Sequence, residues 1–185
     1  MPPFHVLVAY ALFTFAALLG YVVLSGMIWG SGWAPSSRRQ LEAAATLLGL
    51  REGETVYDLG SGFGRALIFF AEKYRVSAVG VEVDPLRGLV TAWSARRHGL
   101  PGVRVLRGNL LDADLRGASK VFVFLTPLIM RRLQGKLSKD MRPGSLVVSV
   151  DHRFPDWETV RSIDNVHLYV LGQSPKVMGA QHRTS

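Results

Sequence analysis

The chain opens with a run that is apolar on every face, passes through a stretch of helical spacing, and then alternates short apolar runs with helical stripes. From Val6 to Trp29 almost every residue is apolar, and no Lys, Arg, Asp or Glu occurs between Met1 and Ser37. Such a run exceeds the about 20 residues a helix needs to cross a bilayer. After a short linker, GSGWAPSS, Ser36 or Ser37 is placed to cap a helix from Arg38 to Leu50. Leu41, Ala44, Ala45 and Leu48 are spaced along one face of it. Strands are then expected at Thr55–Leu59, Ser77–Glu82, Val103–Arg107, Lys120–Thr126 and Ser145–Val150. Helices are expected between them at Arg65–Tyr74, Pro85–His98 and Pro127–Leu137.

That rhythm predicts a parallel sheet with helices on both faces and right-handed crossovers. The end of the chain departs from it. Glu158–Ile163 and Val166–Gly172 flank Asp164-Asn165, the pattern of an antiparallel hairpin. The implied organisation is a transmembrane helix (1–30), a linker and pre-fold helix (31–52), an α/β domain (53–174) and a flexible tail (175–185).

The N-terminal run sharpens the picture. Tyr10, Tyr21, Trp29 and Trp33 are suited to membrane interfaces. A cleaved signal peptide is the alternative, but there is no positive n-region and the run is longer than the usual 7–15 apolar residues. Arg38 and Arg39 follow the run, so the positive-inside bias predicts a single-pass protein with its domain on the cytoplasmic side, or the organellar equivalent. Those arginines could also meet anionic headgroups.

Composition adds limits. The 185 residues fit one ordinary domain, and 48% hydrophobic against 19% charged residues argues against disorder. A net charge of +8 favours anionic partners without choosing among lipid, nucleic acid and acidic protein. The absence of cysteine excludes disulfides, thiolate ligands and cysteine nucleophiles. The histidines at 5, 98, 152, 167 and 182 are scattered, and no metal site is expected.

The chemistry concentrates in Val56-Tyr57-Asp58-Leu59-Gly60-Ser61-Gly62-Phe63-Gly64-Arg65, at the carboxyl end of the first strand. Ligands of open α/β sheets bind at that end, near the switch point. A P-loop would require a Lys that is missing, and the third glycine falls one residue early for a dinucleotide fingerprint. Asp58 followed by Gly60, Gly62 and Gly64 is the D-x-G-x-G-x-G form of Rossmann-like methyltransferases that use S-adenosyl-L-methionine. That cofactor carries no phosphate. Its methionine end is zwitterionic, so amides near the helix start suit its carboxylate and Asp58 its amino end. Glu82, ending the second strand, has the position and the two acceptor oxygens for a ribose diol. Asn109 follows the third strand where such folds contact adenine; the plainer reading is a turn asparagine.

On these residues the chain resembles the seven-strand protein lysine methyltransferases that include an archaeal broad-specificity enzyme and the membrane-anchored mitochondrial enzymes acting on the ATP synthase c-subunit and the adenine nucleotide translocase. The resemblance runs from about Trp33 to Gly172. It is carried by Trp33-Ala34-Pro35-Ser36, the glycine loop, Gly80-Val81-Glu82, Val123 to Pro127 with Leu133 to Leu137 and Arg142-Pro143-Gly144, and Phe154 to Trp157 before VHLYVLG. It implies a Rossmann-like class I fold, a seven-stranded mixed sheet with a C-terminal antiparallel hairpin. It also implies cofactor binding by Gly60, Ser61, Gly62 and Glu82, with Asn109 near the adenine, and a methyl-transfer centre lined by Thr126 and Pro127. Trp33 would cover the site. Phe63 departs from the family, whose members usually have Asp there.

Methyl transfer to lysine needs a neutral amine in line with the sulfonium, and burial beside a cation lowers an amine's pKa without a dedicated base. Asp151 and His152 are base candidates, though polar loop residues is the plainer reading; Trp33 and Trp157 are candidates to wall a lysine channel, Trp157 being alternatively an apolar packing residue under the hairpin. The expected partners are a membrane-associated protein with an accessible lysine and membrane lipid. Nucleic acid is not expected, for want of an aromatic-basic stripe. Two alternatives stay open: methylation of a small lipophilic molecule such as a quinone precursor or lipid, and a non-catalytic membrane scaffold.

Overall fold

The computed structural model describes residues 2–29 and 35–172. The expectations for Trp33, most of the linker and the tail after 175 lie outside the described residues. Helix α1 spans Phe4–Trp29, and its Phe4–Tyr21 portion is long and apolar enough to cross a membrane, with none of it buried against the protein. It is the one helix of that kind among the described residues.

Helix α2 (Arg38–Leu48) starts at a reciprocal cap, in which Gln40 N–H donates to Ser37 Oγ at 3.2 Å and Ser37 N–H donates to Gln40 Oε1 at 2.8 Å. Two orphan amides are satisfied at once. Gly49, left-handed at φ 56°, ends the helix. The elements then run β1 (Thr55–Leu59), α3 (Arg65–Tyr74), β2 (Ser77–Glu82), α4 (Pro85–Arg97), β3 (Val103–Arg107), β4 (Lys120–Val123), α5 (Pro127–Asp140), β5 (Leu146–Val150), β6 (Arg161–Ile163) and β7 (Val166–Val170).

The seven strands are ordered β3-β2-β1-β4-β5-β7-β6, parallel except for β7, which runs antiparallel to β5 and β6. The chain reverses direction across the sheet between β1 and β4, which makes their carboxyl ends the switch point. Strand alternation sends side chains to two cores. Val56, Ala78, Phe122 and Val148 pack against Leu41, Leu48, Leu67 and Phe70 of α2 and α3. Leu59, Val81, Val121 and Val147 pack against Met130, Leu133 and Leu137 of α5.

Several boundaries differ from the sequence reading, three of them by three residues. β4 ends at Val123, its last residue paired with β5, rather than at Thr126. Phe124, Leu125 and Thr126 leave the ladder and turn toward a cavity. β6 begins at Arg161 rather than Glu158, and α5 continues to Asp140.

Candidate active site

The carboxyl ends of β1, β2, β3 and β4 open on a cavity of about 600 Å³, within the range of small-molecule clefts. The loop after β1 forms its floor. Gly60, Gly62 and Gly64 all have positive φ (85°, 54° and 73°), so L side chains there would be strained. Two of them also permit close packing. A Cβ on Gly64 would stand 2.1 Å from Thr91 Cγ2 of α4, and one on Gly60 would stand 2.8 Å from Leu125 Cδ2. Gly80 on β2 is equally constrained: a Cβ would meet Ser61 Oγ at 2.5 Å and Leu67 Cδ1 at 2.6 Å.

The loop amides are largely committed. Gly60 and Ser61 N–H donate to Val81 O (2.9 and 3.2 Å), and Gly64 N–H donates to Ser61 O (2.8 Å). Gly62 N–H donates to Glu82 Oε2 at 2.7 Å, while Asp84 N–H donates to Glu82 Oε1 at 3.0 Å. Glu82 is therefore buried and oriented by two backbone donors, with one lone-pair site left on each oxygen for a pair of hydroxyls. Helix α3 starts at Gly64 with no side-chain cap. Its first-turn amides at Arg65 and Ala66, both at the cavity wall, have no intrahelical acceptor and can receive an anion.

Asp58 is buried beneath the loop, and burial, reinforced by the neighbouring Glu82, pushes its pKa up to about 8. Ser61 Oγ is buried and, among the described residues, has no hydrogen-bond partner. A buried acid and an orphaned hydroxyl facing an open cavity are the features of a site shaped for a polar, partly cationic ligand.

Asn109 lines the cavity and also holds its own turn, its Oδ1 accepting from Leu111 N–H at 3.0 Å, so the plain turn role and the cavity position coexist. Thr126 is the N-cap of α5 and lines the cavity. Pro127 does not: it is exposed at the first helical position, where its missing N–H costs nothing. Trp157 takes the packing role of its two readings. It packs on Phe154 and Tyr169 at ring distances of 4.5 and 5.7 Å, under the hairpin, and is not part of the cavity wall. Asp151 and His152 also stay outside the wall, and Asp151 accepts from Asn165 Nδ2.

The structure adds residues that the sequence did not single out. Phe122, Phe124, Leu125 and Ile129 form an apolar part of the wall, with Leu125 against the glycine loop at Gly60, and Arg65, Arg87 and Arg132 also border the cavity. Arg87 is buried on α4, with its Nε 3.4 Å from Asp84 Oδ2 and its guanidinium 5.7 Å from the centre of the Phe63 ring. Phe63 thus gives a half-exposed π-face to a cation that an Asp at the same place would meet as an ion pair. The spacing of Phe63 and Arg87 across two elements carries no sequence signal.

Comparison with known proteins converges on one family. The profile of the ANTKMT methyltransferase domain matches residues 58–161. A protein-lysine N-methyltransferase of Saccharolobus islandicus (strain REY15A) is 33% identical over 146 residues, covering 74% of this chain and 88% of that protein. The adenine nucleotide translocase lysine N-methyltransferase of Mus musculus is 34% identical over 148 residues, and the ATP synthase c-subunit lysine N-methyltransferase of Homo sapiens 30% over 142. The chain spans 64% and 60% of those two proteins. Among solved structures, an RNA methyltransferase from Salinibacter ruber in complex with S-adenosyl-L-homocysteine superposes with a TM-score of 0.71 at 27% identity, over 80% of this chain and 100% of that one. The chain belongs to the ANTKMT methyltransferase domain family.

Proposed function

We propose that the chain is a membrane-tethered, S-adenosyl-L-methionine-dependent methyltransferase acting on lysine side chains of proteins in or at the membrane. The observation that carries the reading is the pairing of a backbone-oriented, buried Glu82 with a buried Asp58 across the glycine loop, at the switch point of the sheet. The lysine part draws on the names of the relatives from Saccharolobus islandicus, Mus musculus and Homo sapiens. The tether draws on α1, which is mostly apolar and carries no Lys, Arg, Asp or Glu, and on Arg38 and Arg39 beyond it. Holding the domain at the membrane raises its effective concentration toward substrates there.

The residues present fit the cofactor. Glu82 would take the ribose hydroxyls through its remaining lone pairs, and Asn109 with Leu110 and Leu111 would border the adenine. The start of α3 would meet the carboxylate and Asp58 the ammonium. The chemistry supplied by the bound group is a methyl on a sulfonium cation, open to displacement by a neutral amine. The protein's share is positioning and exclusion of water. Phe124, Leu125 and Ile129 give the amine an apolar approach, and Thr126 stands at its end. Arg65, Arg87 and Arg132 border the same space, so an entering ammonium meets both desolvation and like charge. Both favour loss of its proton to water before docking.

The test is to incubate the full chain with methyl-labelled cofactor and membranes from a host that lacks the protein. Protein, lipid and RNA are then separated and hydrolysed. Label recovered as N-methyl-lysine supports the proposal. Label in lipid or RNA overturns the substrate, and absence of cofactor binding at millimolar concentration overturns the enzyme.

A further inference from the structure

Helix α4 is inside out. The side chains it turns toward the sheet and the glycine loop are Arg87, Thr91 and Ala95, all buried. The side chains it turns outward are Leu86, Leu89, Val90 and Trp93, exposed by 40%, 67%, 36% and 58%. At about 100° per residue these four fall within roughly 100° of the helix circumference, opposite the buried three. An aqueous surface helix has the reverse arrangement. A contiguous stripe of this kind marks a surface that something apolar covers.

Two observations identify the cover. The first is where the stripe begins. Tyr21, at the end of the apolar Phe4–Tyr21 portion of α1, donates its hydroxyl to Asp84 Oδ1 at 2.5 Å. Asp84 is the N-cap of α4, and it also accepts from Leu86 and Arg87 N–H at 2.9 and 3.3 Å. Asp84, at the start of α4, therefore meets α1 at Tyr21, eight residues before the end of that helix, and Leu86 lies two residues further on. The second is how the stripe ends. Arg96 and Arg97 close the helix, and the Arg97 guanidinium lies 5.1 Å from the centre of the Trp93 ring. Aliphatic side chains and a tryptophan on one face, edged by arginines, is the composition of a helix lying in a bilayer interface, the apolar groups toward the tails and the guanidinium groups reaching back to phosphates.

We propose that the outer face of α4 lies on the membrane surface, with Leu86, Leu89, Val90 and Trp93 in the headgroup–acyl boundary and Arg96 and Arg97 at lipid phosphates. This rests on the tethered reading above and extends it. The domain has a fixed seat on the bilayer instead of swinging on a linker. Arg87, on the same helix, borders the cavity, so the seat holds the cavity close to the lipid surface.

The absence of cysteine makes the test direct, because a single introduced thiol is unique. Full-length Leu89→Cys and Arg161→Cys are labelled with an environment-sensitive dye and reconstituted into vesicles of 70% phosphatidylcholine and 30% phosphatidylglycerol. Arg161 is exposed on β6, at the opposite edge of the sheet, six strand spacings or roughly 29 Å from β3. Leu89 is well exposed, so its replacement leaves the fold intact. Quenching by nitroxide-bearing lipid is expected to be at least three-fold stronger at 89 than at 161, with quenching by aqueous iodide weaker at 89 by a similar factor. Equal iodide quenching at both sites overturns the proposal. So does shielding of 89 from iodide without lipid quenching, which assigns the face to a protein. Release from the vesicles in alkaline carbonate overturns the tether as well; retention without lipid quenching overturns the seat alone.

Discussion

Replacing Asp58 with Asn probes the electrostatic design of the cavity. In the folded chain without ligand the Asp58 pKa is about 8, against an ordinary 3.8, first because of burial and second because of Glu82. Between those values the folded state holds a proton that the unfolded chain has lost. The folded state therefore binds more protons, and stability falls as pH rises from about 4 to 8. The gap corresponds to roughly 6 kcal/mol over the whole interval, a large share of the stability of a domain this size. Asn carries no such liability, so Asp58→Asn should flatten the pH profile of the unfolding midpoint and be the more stable protein at pH 8. The same proton reports on the ligand. A cation docking beside Asp58 expels it, releasing about 0.9 proton at pH 7 and less than about 0.1 at pH 9. Titration calorimetry with S-adenosyl-L-methionine in two buffers of different ionisation enthalpy measures that number, and the Asn variant should show none. Indistinguishable pH profiles for the two proteins, or binding at pH 7 without proton release, would refute the reasoning.

Three other substitutions separate the roles of neighbouring groups. Gly64→Ala puts a Cβ 2.1 Å from Thr91 Cγ2 at a φ of 73°, so strain and overpacking together should cost roughly 2–4 kcal/mol in denaturant unfolding. Glu82→Gln retains acceptor capacity for one of its two backbone donors and should weaken cofactor affinity by at least ten-fold in calorimetry with the domain still folded; unchanged affinity would mean that the ribose lies elsewhere. Trp157→Ala should lower stability by about 3 kcal/mol, because the ring packs on Phe154 and Tyr169, while the KM for a protein substrate stays unchanged. A raised KM with unaltered stability would restore Trp157 to the substrate channel.

The alternation of apolar runs and helical stripes made the β–α–β order legible, and the cap at Ser37 and the proline that opens α5 stand where local chemistry puts them, whereas the early end of α2 at Gly49 and the cap at Asp84 were not singled out. The end of β4 was not legible. Lys120 to Thr126 is apolar through its middle, and nothing local distinguishes Val123, held in the ladder, from Phe124, which leaves it. Asp58 and Glu82 were readable from position, but the capture of Glu82 by the amides of Gly62 and Asp84 is a tertiary event. For Trp157 the sequence left a channel wall and packing under the hairpin both open, and the return of Tyr169 beside it decides for packing. α4 is the sharpest case: periodicity alone sends Leu86, Leu89, Val90 and Trp93 inward, and the fold sends them out.

The most direct test of the account is a quantitative comparison of N-methyl-lysine in membrane proteins of the native host with and without this chain. The account predicts discrete lysines, close to the bilayer surface, that are methylated only when the chain is present and lose methylation again when Glu82→Gln replaces it. Unchanged lysine methylation, with methyl groups instead missing from a lipid, a quinone precursor or RNA, would contradict it.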